Sequence, residues 1–101
     1  MEEYIIQFES RALLGQDEEY NRWYDGVHVP DVLAIAGFKS CKRHRIVDPG
    51  DMQPRYMAAY TAVCEDPHAL LGRLFESSKD MIISPALDPS HVIVTVYKSM
   101  H

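Results

Sequence analysis

The stretch WYDGVHVPDVLAIAGF, residues 23–38, is longer and more patterned than a simple connection between two secondary-structure elements. Apolar side chains at spacings of three and four, typical of one helix face, occur at Tyr20, Trp23, Tyr24 and Val27. Pro30 disrupts an α-helical ladder and biases the preceding residue away from helical angles. We therefore predict a helix that ends or breaks near His28, then a second helical piece over residues 31–35 that Gly37 follows.

On the amino-terminal side of this stretch, residues 4–8 predict a strand with both faces covered. Residues 11–16 are predicted to be a connection, and Asp17 the N-cap of the first helix. On the carboxyl-terminal side, residues 38–47 predict a basic strand and residues 55–63 another strand, joined by a turn at Asp48-Pro49-Gly50-Asp51.

The last part of the chain predicts a second helix and a final strand. Asp66-Pro67 is a helix start, and the apolar stripe that follows consists of Leu70, Leu71, Leu74 and Phe75. Residues 81–89 contain two prolines and predict a loop or short turn, whereas residues 91–98 (HVIVTVYK) are the strongest strand. The order β-α-β-β-α-β predicts an α+β, ferredoxin-like fold with a four-stranded antiparallel sheet, and the length of 101 residues predicts a single domain spanning 1–101.

Composition excludes several classes of function. A formal charge of −5 argues against a general affinity for nucleic acid or for an anionic membrane. The two cysteines form no CxxC pair, and the amino terminus has no signal-peptide pattern, so we expect reduced thiols and a cytoplasmic protein. Neither a metal-ligand spacing nor a glycine-rich phosphate loop occurs, and we expect no metal and no cofactor.

Two helices can cover only one face of such a sheet, and the last strand indicates what lies on each face. Val92, Val94 and Val96 suit packing against helices, whereas the alternate set is mixed: His91, Ile93, Thr95 and Tyr97. From the third strand, either Tyr56 and Tyr60 or Met57 and Thr61 join the mixed set, depending on register. We expect a second copy of the chain to close a barrel over this face, giving a homodimer with a pocket for a small hydrophobic or aromatic ligand.

The run YNRWYDGVHVPDVLAIAGFKSCKR resembles the first helix and second strand of the dimeric α/β-barrel superfamily, in particular its ethyl tert-butyl ether degradation (EthD)-like members. The matching positions are Trp23, His28, Pro30, Gly37, Phe38 and Arg43. The resemblance implies a homodimer of ferredoxin-like subunits with a pocket between sheet and helices. The haem-degrading branch differs, because this chain has Gln7 where that branch has an asparagine, and Trp23 precedes His28 by five positions rather than ten.

The candidate catalytic residues are His28, as general base or acid, and His91 with Tyr60 or Tyr97, which would polarise a substrate oxygen. For His28 the alternative is a helix-end residue bonded to a nearby carbonyl, and for the tyrosines it is a core position. The candidate substrate-binding residues are Tyr4, Trp23, Tyr24, Val27, Phe38, Tyr56, Ile93 and Thr95.

Three functions fit these residues. The first is a cofactor-independent enzyme that abstracts a proton beside a carbonyl of a hydrophobic compound, as a cyclase, isomerase or lyase would. The second is a cofactor-free monooxygenase that forms quinones. The third is a non-catalytic dimeric module for small-molecule binding or stress response.

Overall fold

A computed structural model describes residues 1–47 and 53–100. In chain order it contains β1 (Glu2–Ala12), α1 (Asp17–Trp23), a π-helical turn (Tyr24–His28), α2 (Val29–Leu33), β2 (Phe38–Arg45), β3 (Tyr56–Cys64), α3 (Pro67–Ser78) and β4 (Leu87–Lys98). The predicted β-α-β-β-α-β order is confirmed, since α1, the π-helical turn and α2 together form the first helical connection. The turn predicted at residues 48–51 lies outside the described residues.

The strands form a four-stranded sheet in the order β2-β3-β1-β4. Every neighbouring pair is antiparallel. Because β3 lies between β1 and β2, and β1 between β3 and β4, the two β-α-β units interleave. This is the ferredoxin-like α+β arrangement that the sequence predicts.

Strand register decides which side chains meet the helices. Ile6 pairs with Tyr60 and with Val96, and Phe8 pairs with Ala58 and Val94, and these residues lie in or against the buried core. The alternate residues form the opposite face, which we call the open face. Its positions are Ile5, Gln7 and Glu9 on β1, Met57, Ala59 and Thr61 on β3, and Ile93, Thr95 and Tyr97 on β4.

Burial of large side chains between this sheet and the helices stabilises the fold. The largest fully buried ones are Tyr20, Tyr60, Ile6, Leu70 and Val32. Roughly 1.5–3 kcal/mol is gained for each large apolar side chain removed from water. They come from both helical connections and from both central strands, so the core fixes the helices over one face of the sheet.

The prediction that the helix ends or breaks near His28 is wrong, because the chain stays helical through this region. His28 and Val29 both have right-handed helical backbone angles, and the Val29 N–H bonds to the carbonyl of Tyr24, five residues back. The wider π-helical turn lets the chain pass Pro30, which has no N–H to donate, without leaving the helix. The second helical piece therefore begins at Val29 rather than at Asp31.

Several predicted boundaries also differ from the structure. Arg11 and Ala12 belong to β1 rather than to a connection, because Ala12 pairs with Leu87 beyond a bulge. Asp17 is the first residue of α1 and not its N-cap, and its carboxylate accepts a hydrogen bond of 2.8 Å from Tyr56. The N-cap role predicted for Asp66 is confirmed, since its side chain accepts from the N–H groups of His68 and Ala69.

Two further differences lie in the last third of the chain. Phe75, predicted in the apolar stripe of α3, is 52% exposed. The final strand begins at Leu87, within the segment that the two prolines predicted to be a loop.

Candidate functional site

His28 lies in a small cavity of about 70 Å³ between the helices and the sheet. The cavity is lined by Phe8 and Ser10 of β1, by Trp23, Tyr24 and His28, and by Ile83, Leu87 and Val92. Its walls are therefore mostly apolar and aromatic, with an imidazole and a serine hydroxyl among them. Such a combination is characteristic of small-molecule sites.

Aromatic side chains fix the orientation of the His28 ring. The ring stacks on Trp23 with centroids 4.8 Å apart and meets the edge of Tyr24 at 5.0 Å. Its Nδ1 atom is buried and has no hydrogen-bond partner among the described residues. The alternative in which His28 bonds a nearby carbonyl through this nitrogen is thus not what the structure shows.

Burial lowers the pKa of His28 below its ordinary value of 6.5. The carboxylate of Asp31 opposes this effect, and the charge of Arg43 adds to it. The imidazole is accordingly neutral at neutral pH, with a nitrogen lone pair available to take a proton.

Trp23 links the cavity to the segment before β4. The indole N–H donates a hydrogen bond of 2.7 Å to the carbonyl of Ile82. A second cavity of about 310 Å³ includes Trp23, Ile82, Val27 and Pro85 in its lining. The two cavities share Trp23 and Ile83 as lining residues.

Arg43 of β2 lies on the other side of Tyr24. Its guanidinium carbon is 4.2 Å from the Tyr24 ring centroid, and it is 5.6 and 5.5 Å from the rings of Tyr20 and Tyr56. One of its nitrogens pairs with Asp25 of the π-helical turn at 3.0 Å. Its Nε and Nη2 atoms have no hydrogen-bond partner among the described residues, although three aromatic rings face the cation.

The candidate residue Tyr60 lies next to Tyr24, on the face of the sheet that the helices cover. Its hydroxyl is buried without a hydrogen-bond partner among residues 1–47 and 53–100. Burial raises the pKa of both phenols, and the two hydroxyls also influence one another. Both groups therefore stay protonated at any ordinary pH and can act only as neutral donors or acceptors.

Ser10 is a member of this site that sequence reasoning missed. Its hydroxyl and that of Tyr20 lie 2.5 Å apart, and both residues are buried. The available signal was its position in the inward set Tyr4, Ile6, Phe8 and Ser10, where a hydroxyl replaces an apolar group.

His91, in contrast, lies on the open face. Its Nε2 is 2.6 Å from Oε2 of Glu9, and the same oxygen accepts from Arg55 at 3.3 Å. The sheet separates His91 from His28 and its cavity. Within one chain the structure does not bring the two histidines together, because His91 alternates with the valines that face the helices.

The other candidates divide between the same two faces. Tyr97 lies on the open face with Ile93 and Thr95, and Tyr97 and Ile93 are each 49% exposed. Phe38 is a core residue whose ring meets Tyr60 at 5.5 Å. The hydroxyl of Tyr56 is used by Asp17, to whose carboxylate it donates.

Tyr4 belongs to a different feature of the molecule. It contributes to a groove of about 590 Å³ between α3 and β4, together with Leu71, Phe75 and Val96. Of the predicted substrate-binding residues, only Trp23 and Tyr24 therefore line the His28 cavity directly, and Val27 lines its neighbour.

Two kinds of site are not found in the part of the chain that the structure describes. No group of three or more His, Cys, Asp or Glu side chains is arranged to hold a metal ion. None of the described helices has the length and apolar character needed to cross a membrane.

No protein-family model and no curated protein matches the chain. Among solved structures it is similar to the crystal structure of an ethyl tert-butyl ether d (EthD) family protein from Bacillus halodurans C-125. The TM-score is 0.62 at 11% sequence identity, and the match covers 96% of this chain and 99% of the other. The likeness shows an EthD-like fold. At this identity it says nothing of activity.

Proposed function

We propose that the protein is a cofactor-independent enzyme that transfers a proton to and from a small, largely apolar ring or carbonyl compound. The observation that supports this proposal is the partly buried His28 imidazole, which is neutral, lines an aromatic cavity and carries a buried Nδ1 without a hydrogen-bond partner among the described residues. A buried ring nitrogen is normally hydrogen-bonded. An unbonded ring nitrogen on a residue that lines a cavity is suited to bind a reacting group.

The chemistry follows from the protonation state of this ring. A general base must be unprotonated and close in pKa to the working pH, and a lowered histidine pKa meets the first condition throughout the neutral range. Proton abstraction beside a carbonyl is then the step that the site can carry out. The product of that step decides between cyclisation, isomerisation and elimination.

The size of the cavity limits the reacting part of the substrate. A volume of about 70 Å³ holds only a few non-hydrogen atoms, whereas ligand pockets commonly measure about 300–1,000 Å³. We propose that the remainder of the substrate occupies the neighbouring cavity of about 310 Å³, which shares Trp23 and Ile83 with the first. The reacting carbonyl would then lie beside His28 and the apolar remainder beside Trp23 and Val27.

The test uses small ketones, since the natural substrate is not needed to observe proton abstraction. Exchange of the α-hydrogens of cyclopentanone and acetophenone in deuterium oxide is followed by proton NMR with catalytic amounts of protein. We expect wild-type protein to accelerate exchange and His28→Gln to lose at least about 10²-fold of that acceleration. His44→Gln, at an exposed position of β2, is the matched control and should retain it.

A second candidate, a non-catalytic small-molecule-binding module, is supported by the apolar and aromatic lining of the cavity. In that case a ligand is retained and no α-hydrogen exchange occurs in wild-type protein. Native mass spectrometry of freshly purified protein detects such a ligand directly. The quinone-forming monooxygenase is separated from both by oxygen consumption with naphthols.

We also propose a homodimer in which a second copy covers the open face. Half-exposed Ile93 and Tyr97 lie there beside polar groups that already pair with one another, such as Glu9 and His91. A face of this composition is suited to a protein partner rather than to water.

A further inference from the structure

We infer that Ser10 is the residue that binds the substrate oxygen in the His28 site, and that Tyr20 is the positioning residue that makes its hydroxyl a donor. This inference rests on the proposed function and names a second catalytic group in the same site. Its consequence is a substrate class, namely compounds whose reacting carbonyl becomes an enolate.

The position of Ser10 is fixed by the sheet. Ser10 pairs with Tyr56 on one side and with Val92 on the other, so its side chain points to the helices. It is only 4% exposed and lines the same cavity as His28. A base and a hydroxyl therefore face one small space.

The hydrogen bond between Ser10 and Tyr20 uses one of the two hydroxyl protons and leaves the other free. The two oxygens lie 2.5 Å apart, and either could be the donor. The Arg43 guanidinium lies 5.6 Å from the centre of the Tyr20 ring, and its charge, like the Ser10 hydrogen bond, lowers the pKa of Tyr20 against the larger effect of burial. In the arrangement that we infer, Tyr20 donates to Ser10 Oγ and the Ser10 proton is left for the cavity.

Two other donors belong to residues that line the cavity, the indole of Trp23 and the hydroxyl of Tyr24. The Trp23 N–H is used by the Ile82 carbonyl at 2.7 Å. The Tyr24 hydroxyl neighbours that of Tyr60, on the β3 side of the core, whereas the cavity is bounded by residues of β1 and β4. Among the described residues that line the cavity, Ser10 combines a hydroxyl with a place on the β1 side of the cavity, and it is the donor that we assign to the substrate oxygen.

The proton-transfer step balances with these two residues. The α C–H bond breaks, its proton passes to His28, and its electron pair forms the carbon–carbon double bond while the carbonyl oxygen becomes an enolate. The enolate oxygen accepts from the Ser10 hydroxyl. Return of a proton from the imidazolium to carbon restores the ketone and the neutral ring, and a deuteron acquired from solvent gives exchange.

Two variants each remove one partner of the hydrogen bond between Ser10 and Tyr20. In the cyclopentanone exchange assay, Ser10→Ala should lower the rate by about 10²-fold, the usual effect of losing one oxyanion donor. Tyr20→Phe, which keeps the Ser10 hydroxyl, should lower it markedly less. Ser40→Ala is the control, since Ser40 is a strand serine whose hydroxyl lies 2.6 Å from that of Thr61 outside the site.

Equal losses in Ser10→Ala and Tyr20→Phe would mean that the bond is only structural, and the inference would be overturned. Unchanged exchange in Ser10→Ala would overturn it as well, while leaving the role of His28 intact.

A second measurement separates this inference from the proposed function. Wild-type protein should bind para-nitrophenol as the phenolate, seen as a lowered apparent pKa in its absorbance, and Ser10→Ala should remove that shift. If exchange is absent but this shift is present and depends on Ser10, the proposed function fails and the oxygen-binding role stands. If wild-type protein shows neither exchange nor the shift, both fail.

Discussion

At the scale of single residues, His28 should titrate abnormally. Its pKa is lowered from 6.5 by burial, so the NMR titration midpoint of the imidazole Cε1 proton should lie below that value. Asp31→Asn should lower the midpoint further, because the Asp31 carboxylate raises the pKa. A midpoint at or above 6.5 in the wild-type protein would contradict a partly buried ring that is neutral at neutral pH.

The same shift has a consequence for stability. The unfolded chain binds a proton at His28 at a higher pH than the folded chain does, so the free energy of unfolding falls as pH drops from about 6.5 towards the folded pKa. Above that window the residue adds no pH dependence. His28→Gln should therefore flatten this part of the curve of stability against pH in urea titrations.

The residues of the site differ in how far the sequence could predict them. His28 was identifiable because it is a lone histidine between an aromatic helix face and Pro30. Ser10 was not, since its role depends on Tyr20 and Arg43, and nothing local in a sequence of alternating strand residues brings these three together. Contacts across the core determine that site, and local pattern does not.

At the scale of elements, the helical connection was predicted as two pieces, and the structure joins them by a π-helical turn. Tyr20 and Trp23 anchor the first part to the core and Val32 anchors the second, so the chain absorbs Pro30 instead of breaking there. Local propensity predicts where the helix is irregular. Tertiary packing makes this irregularity a π-helical turn, and the turn places Asp25 within reach of Arg43.

Deletion of Gly26 tests this account. Removing one residue turns the π-helical turn into an α-helical one and sets the Pro30 ring against the carbonyl four positions back, with an expected loss of about 3 kcal/mol of unfolding free energy. Adding Pro30→Ala to the deletion should recover most of the loss, whereas Pro30→Ala alone should change stability by less than about 1 kcal/mol. Urea denaturation of the four proteins gives the coupling, and strictly additive effects would contradict the link between the turn and the proline.

At the scale of the whole molecule, the order of the elements was sufficient to predict the sheet, because few topologies accommodate two interleaved β-α-β units. It was harder to predict from the sequence which face of the sheet each candidate residue lies on. The alternation in β4 that predicted Val94 and Val96 to face the helices also places His91 on the other side. If the two-residue period of a strand is applied to every residue of β4, His91 falls on the face opposite to the valines, and therefore opposite to His28.

The open face also carries a prediction about assembly. A single copy leaves Ile93 and Tyr97 half-exposed on a sheet face that none of the described helices covers, and a second copy that covers this face would remove both from water. Sedimentation equilibrium should therefore give twice the chain mass of 11.6 kDa for the wild-type protein. Ile93→Lys places a charge within the proposed contact and should shift the protein to monomer, whereas Leu14→Lys, at a position that is 87% exposed outside this face, should remain a dimer. Since a monomeric wild type would contradict the dimer but leave the His28 cavity intact, the two proposals can fail independently.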